Sequence, residues 1–86
     1  MSAGKYYVYV LQNSSHQLYI GHTSDLQARL LHHQNGDSTW TRSRGPWELV
    51  YQEEFSTRAD AMKRERQLKV GRENQRLRSK IQDSRR

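Results

Sequence analysis

Aromatic and β-branched residues crowd Tyr6 to Gln12, YYVYVLQ, and a run of that composition predicts a strand. The turn residues NSSH follow at Asn13 to His16, and Gln17 to Gly21 predicts the returning strand of a hairpin. The period then changes. Leu26 and Leu30 lie four apart, on one face of a helix. Its start is expected at SDLQ, where Ser24 caps the amide three residues on, Gln27 reaches back, and Asp25 in the first turn suits the helix dipole. Asn35-Gly36 supplies the left-handed residue that ends it.

The stretch Asp37 to Trp47, DSTWTRSRGPW, is polar and broken by Gly45-Pro46, so it predicts a loop. A third strand is expected around Leu49 to Glu54, with Leu49 and Tyr51 alternating with other residues. TRAD, Thr57 to Asp60, predicts another helix start; that helix runs to about Val70, with Gly71 as its stop. A short last helix around Glu73 to Gln82 carries Leu77 and Ile81 four apart. The order strand, strand, helix, strand, helix, helix, opened by a hairpin, predicts an α+β domain with an at least partly antiparallel sheet. One domain over 1–86 is expected, its core about 5–82 and residues 83–86 a frayed basic tail.

At 86 residues the core will be thin, since a domain near this size buries little more than ~60% of its unfolded surface. There is no cysteine, which excludes a disulfide framework, a thiolate zinc site and a cysteine nucleophile. The apolar run Tyr6 to Leu11 is far too short to span a bilayer, and residues 1–5 lack the features of a secretory signal. A soluble, intracellular (cytoplasmic) protein is therefore expected. Charge is uneven: residues 58–86 hold eleven Lys/Arg against four Asp/Glu, a formal +7, while residues 1–57 carry −1. Such a field favours a polyanion; a merely solvated helical surface is the plainer explanation.

Three features ask for more than packing. Arg29 and His33 lie four apart beside the Leu26/Leu30 stripe, where a guanidinium fork can meet a phosphate and an imidazole can hold or move a proton. Taken alone, they are also what a solvated helix flank looks like. On a wheel at about 100° per residue, Leu68 falls at about 180°, Ala61 at about 200°, Glu65 at about 240° and Met62 at about 300°. Glu65 thus stands inside the arc expected to face the core, where it must ligate a cation, pair with a base or reach water. An i,i+4 pair with Lys69 would suffice. Third, Tyr7 and Tyr9 share a face of the first strand. Tyr19 joins them only if the hairpin connection holds an odd number of residues or a bulge.

The spacing of YVY (Tyr7 to Tyr9), YIG (Tyr19 to Gly21), Arg29, His33 and a helical Glu65 resembles the GIY-YIG nuclease superfamily, particularly its small stand-alone UPF0213-like members. The likeness runs from about Lys5 to Ile81 and includes TRSRGPWELVYQEEF and AMKRERQLK. It implies a three-stranded antiparallel sheet flanked by helices, and divalent-metal-dependent hydrolysis of a phosphodiester with Mg²⁺ or Mn²⁺.

By position, Tyr9 and Tyr19 match the two motif tyrosines, and Gly21 the motif glycine that lets substrate or backbone come close. Arg29 matches the phosphate-stabilising arginine, Glu65 the single metal-binding carboxylate, and His33 a histidine near the tyrosine hydroxyl. Two positions depart from the pattern. Tyr7 replaces the first motif's glycine, and His22 stands where the bacterial excision-repair relatives have lysine.

His22, Arg42 and Arg44 are expected on the substrate side, the arginines gripping phosphates outside the centre. Solvated roles are expected for His16 and His32, and loop-anchoring roles for Trp40 and Trp47 rather than base stacking. No separate DNA-binding domain of the kind larger family nucleases carry is expected, so low specificity, or specificity from a protein partner, is expected. The expected partner is nucleic acid, DNA before RNA, without a membrane. The expected function is an endonuclease acting on branched or single-stranded DNA. The alternatives are a catalytically weak or inactive nucleic-acid-binding module of the same fold, and a basic docking surface for an acidic protein.

Overall fold

A computed structural model describes residues 4–34 and 44–84. Three strands, β1 (Tyr6–Gln12), β2 (Leu18–Thr23) and β3 (Glu48–Phe55), form one antiparallel sheet in the order β2-β1-β3. Among the described residues three helices flank it: α1 (Leu26–Gln34), α2 (Arg58–Leu68) and α3 (Gly71–Ser84). This is the expected α+β architecture.

The alternation of β1 divides the core. Val8 and Val10 point to one face, where Ala61 and Leu68 of α2 and Leu77 and Ile81 of α3 complete a buried cluster. Tyr9 and Leu11 point to the other, where Trp47 is buried with them and Leu26 and Leu30 of α1 pack from above. A sheet covered on both faces explains why β1 is buried from Val8 to Leu11 rather than at alternate residues.

The hairpin places the tyrosines. Gln12 pairs with Leu18, leaving the five residues Asn13 to Gln17 as the connection, and Leu11 faces Tyr19 while Tyr9 faces Gly21. That odd number puts Tyr9 and Tyr19 on one face. Asn13 holds the turn: its Oδ1 accepts from the amides of Ser15 (3.0 Å) and Gln17 (2.9 Å), and its Nδ2 donates to the carbonyl of Arg44 (3.0 Å).

Several boundaries differ from expectation. β2 runs on to Thr23, past Gly21, and this moves the cap of α1. Asp25, not Ser24, caps the helix: its Oδ1 accepts from the amide of Ala28 at 3.1 Å, while Thr23 Oγ1 accepts from the amide of Asp25 at 3.1 Å. Leu49 and Tyr51 do not share a face. The register shifts between Val10 and Leu11, so Leu49 pairs with Leu11 and Tyr51 with Val10, and they join different clusters. Thr57 caps α2 as expected, accepting from the amide of Asp60 at 3.2 Å.

Gly71, at φ +57°, follows the end of α2 but also opens α3, which is longer than its sequence pattern suggested. Met62, expected in the core-facing arc, is 39% exposed, because the buried strip of α2 is only Ala61 and Leu68. Among the described residues no helix is long and apolar enough to cross a membrane. The Asn35-Gly36 helix end, Trp40, Arg42 and most of the expected loop lie outside the described residues.

Candidate active site around the β2 edge

β2 is an edge strand, and its alternation sends successive side chains to opposite sides of the sheet. Tyr19 and Gly21 face α1; Ile20 and His22 face α2. The candidate residues gather around this edge in one open cleft of about 340 Å³, lined by Tyr9, Tyr19, Gly21, Arg29 and Glu65 among others.

On the α1 side, Tyr9 is buried with its hydroxyl 3.0 Å from Nε2 of His33, itself buried. The Tyr19 ring meets the His33 ring at 4.6 Å and the Tyr9 ring at 6.2 Å. Gly21 makes room for this group. A Cβ there would come within 2.7 Å of the Tyr9 hydroxyl and 2.9 Å of its Cζ. Trp47 backs Tyr19 edge-on at 6.5 Å, the anchoring role expected of it.

Burial, then the neighbouring Tyr19, pushes the Tyr9 phenol well above its ordinary pKa, with the Arg29 charge pulling the other way. Burial also holds His33 below its ordinary value, helped by the charges of Arg29 and His32. Both groups are therefore neutral at pH 7. With the imidazole proton on Nδ1, the Tyr9 hydroxyl donates and Nε2 accepts. Arg29 itself is exposed on α1 and reaches the cleft from outside.

On the α2 side, Oε1 of Glu65 accepts from Nδ1 of His22 at 2.6 Å, and Oε2 accepts from Nζ of Lys69 at 2.8 Å. Burial would raise this carboxyl, but the Lys69 and His22 hydrogen bonds outweigh it and hold the pKa below the usual carboxylate value. Glu65 thus has both the i,i+4 partner expected of a surface residue and a second partner across the sheet edge.

Glu65 is the carboxylate lining the cleft, and the described residues hold no cluster of three or more His, Cys, Asp or Glu. A caged metal does not fit this donor set. A hydrated hard cation on one carboxylate does, with water and phosphate filling the rest of an octahedral shell. Lys69 already marks a position for positive charge on Oε2, and its long exposed side chain can swing aside.

The expected site residues thus fall into three groups. Tyr9, Tyr19, Gly21, His22, Arg29 and Glu65 line the cleft, and His33 supports it from behind. Arg44 is not among its lining residues, and Arg42 lies outside the described residues. His16 sits in the hairpin turn at φ 64°, and His32 is exposed. Sequence reasoning missed Arg58, which also lines the cleft, and treated Lys69 only as a surface partner. Spacing held the signal for both: Arg58 is two helical turns before Glu65 and Lys69 one turn after.

Paired tyrosines on the central and edge strands with a glycine beside them, one helix supplying arginine and histidine, and a second supplying a carboxylate define a GIY-YIG catalytic domain. The chain belongs to that family, which it matches over residues 5–78. Its relatives include a UPF0213 protein of Staphylococcus epidermidis, 39% identical over 85% of this chain and 90% of that protein. A UPF0213 protein of Clostridium perfringens is 42% identical over 83% of this chain and 77% of its own length. The solution NMR structure of a UPF0213 protein from Bacillus halodurans matches with a TM-score of 0.55 and 30% identity, over 90% of this chain and 84% of that one.

Proposed function

We propose that the chain is a divalent-metal-dependent endonuclease that hydrolyses phosphodiester bonds in DNA, with branched or single-stranded DNA as substrate. The observation that carries this reading is the convergence of Tyr9, Tyr19, Arg29 and Glu65, drawn from four different elements, on one cleft.

Hydrolysis needs an activated water, a clamp on the phosphoryl oxygens and a stabilised leaving oxygen. Arg29 supplies the clamp, its charge held at the mouth of the cleft where a phosphate enters. Tyr9 accepts the water's proton. A buried phenol is a poor store of phenolate, so its own proton must leave as the new one arrives. His33 takes it: Nε2 is 3.0 Å away, and the imidazole is held neutral by burial and the Arg29 charge. The hydroxide attacks phosphorus and one P–O ester bond breaks. Mg²⁺ or Mn²⁺ held by Glu65 would supply charge stabilisation of the phosphoryl group and of the leaving oxygen. Tyr19 fixes His33 by ring contact, Gly21 keeps the Tyr9 hydroxyl accessible, and His22 orients Glu65. Arg42 and Arg44 are assigned to phosphates outside this centre.

One observation favours a catalytically weak binding module instead: Glu65 is doubly compensated, by Lys69 and His22, and needs no metal for stability. Cleavage of single-stranded, duplex and flapped DNA and of RNA, with Mg²⁺ or Mn²⁺, separates the two. The nuclease reading predicts metal-dependent products on DNA; tight, salt-sensitive binding without products favours the module. Specificity beyond this cleft is assigned to a protein partner.

A further inference from the structure

The cleft does not end at Lys69. A second groove of about 360 Å³ shares Tyr19, Ile20 and Lys69 with it and is completed by Leu18, Asn74 and Arg78. Arg58 and Lys69 line the first cleft from positions eleven residues apart, so at a helical rise of 1.5 Å per residue it follows α2 for about 16 Å. The second groove prolongs that path onto α3. A single phosphate needs far less length than this.

Charge decides what such a path accepts. The groove's cations are Lys69, which Glu65 already pairs at 2.8 Å, and Arg78, and among the described residues no carboxylate lines it. The cleft beside Tyr51 and Leu77 is the contrast. There Arg64 is ion-paired to Glu53 (3.0 Å) and Glu73 (3.1 Å), and Arg76 to Glu73 (3.3 Å), so both guanidinium groups already face carboxylates, while Lys80 of the same lining rests over the Tyr51 ring. Arg78 has neutral acceptors instead: its Nε donates to Asn74 Oδ1 at 3.1 Å and its Nη1 to the His16 carbonyl at 3.4 Å. Those bonds orient the guanidinium fork without neutralising it, which suits a phosphate.

We infer that this groove carries the phosphodiester backbone next to the scissile position, and that Arg78 is a substrate-positioning residue there. The inference rests on the nuclease reading, which puts the scissile phosphate at Arg29, and adds the direction in which the strand leaves: along α2 toward α3. A backbone contact of this kind fixes register and adds affinity without reading sequence.

Fluorescence anisotropy of a labelled single-stranded DNA, and of RNA of the same sequence, with the full chain in EDTA measures binding apart from cleavage. Arg78→Gln is expected to weaken both by about 5-fold at ~0.1 M salt and to flatten the salt slope by about 0.7, the value for one phosphate on a single strand. Arg76→Gln removes the same charge from a guanidinium already paired with Glu73 and is expected to leave the slope nearly unchanged; Arg78→Lys is expected to retain most of it. If Arg78→Gln lowers the melting temperature, Arg78→Lys decides, and loss of the slope in that variant contradicts the inference. Equal losses in the Arg76→Gln and Arg78→Gln variants, or no loss in the latter, overturn it whether or not the wild-type chain cleaves. A wild-type chain that binds but never cleaves, with the Arg78 effect intact, sinks the nuclease reading and leaves the groove standing.

Discussion

Gly21 lacks a side chain because Tyr9 occupies the space one would fill. A methyl group 2.7 Å from the phenol oxygen must push the ring or the strand aside, and both neighbours belong to the buried tyrosine group. Gly21→Ala is expected to cost about 1–3 kcal/mol, the usual range for overpacking, and to move the hydroxyl off His33. Thermal melts check the first effect. A fall in cleavage rate at saturating substrate checks the second.

His33 gives the residue scale a pH signature. Its folded pKa lies below the ordinary 6.5, so below that pH the unfolded chain takes up a proton that the folded chain resists. Stability from this residue is fully present above about pH 6.5 and is lost as pH falls through the folded value. Glu65 acts with the same sign further down, because Lys69 and His22 outweigh burial and depress its carboxyl below 4.5. Urea midpoints are therefore expected to fall on going from pH 7 to pH 5, and His33→Gln is expected to flatten that segment. An unchanged slope in the variant would put the titration elsewhere.

At the scale of elements, the site depends on how β2 hands over to α1. The extension of β2 to Thr23 shifts the cap by one residue, and Asp25 then sets where Arg29 and His33 stand on the following turns. Asp25→Ala is expected to lose about 1 kcal/mol and Ser24→Ala well under half of that, by paired denaturation curves. Equal losses would restore Ser24 as the cap. SDLQ offers two capping side chains one residue apart, and the choice is made by where pairing with β1 stops, a nonlocal fact. The bulge opposite Val10 and Leu11 is similar: alternation suggested one face for Leu49 and Tyr51, whereas the register shift divides them between two clusters.

Across the whole molecule, the features readable in advance are those fixed by counting. Helical spacing joins Arg29 to His33 and sets Glu65 beside Ala61 and Leu68; the hairpin's parity stayed conditional, and it is Gln17, in the connection rather than in β2, that makes the count odd and aligns Tyr9 with Tyr19. What counting could not reach is the meeting of His22 with Glu65. They are 43 residues apart, and only the docking of α2 against the outer strand brings them to 2.6 Å. The excess positive charge of residues 58–86 likewise divides only in three dimensions, part of it cancelled by Glu53 and Glu73 and part turned toward the cleft and its groove.

We propose that the tyrosine group, Arg29 and Glu65 act as one phosphodiesterase centre. Single-turnover cleavage of a flapped DNA with Mg²⁺, comparing the wild-type chain with Arg29→Ala and Glu65→Ala, tests it most directly. Metal-dependent cleavage is expected to fall roughly 10²- to 10³-fold without Arg29 and to background without Glu65, with melting curves showing each variant folded. Equal cleavage by all three proteins would contradict it.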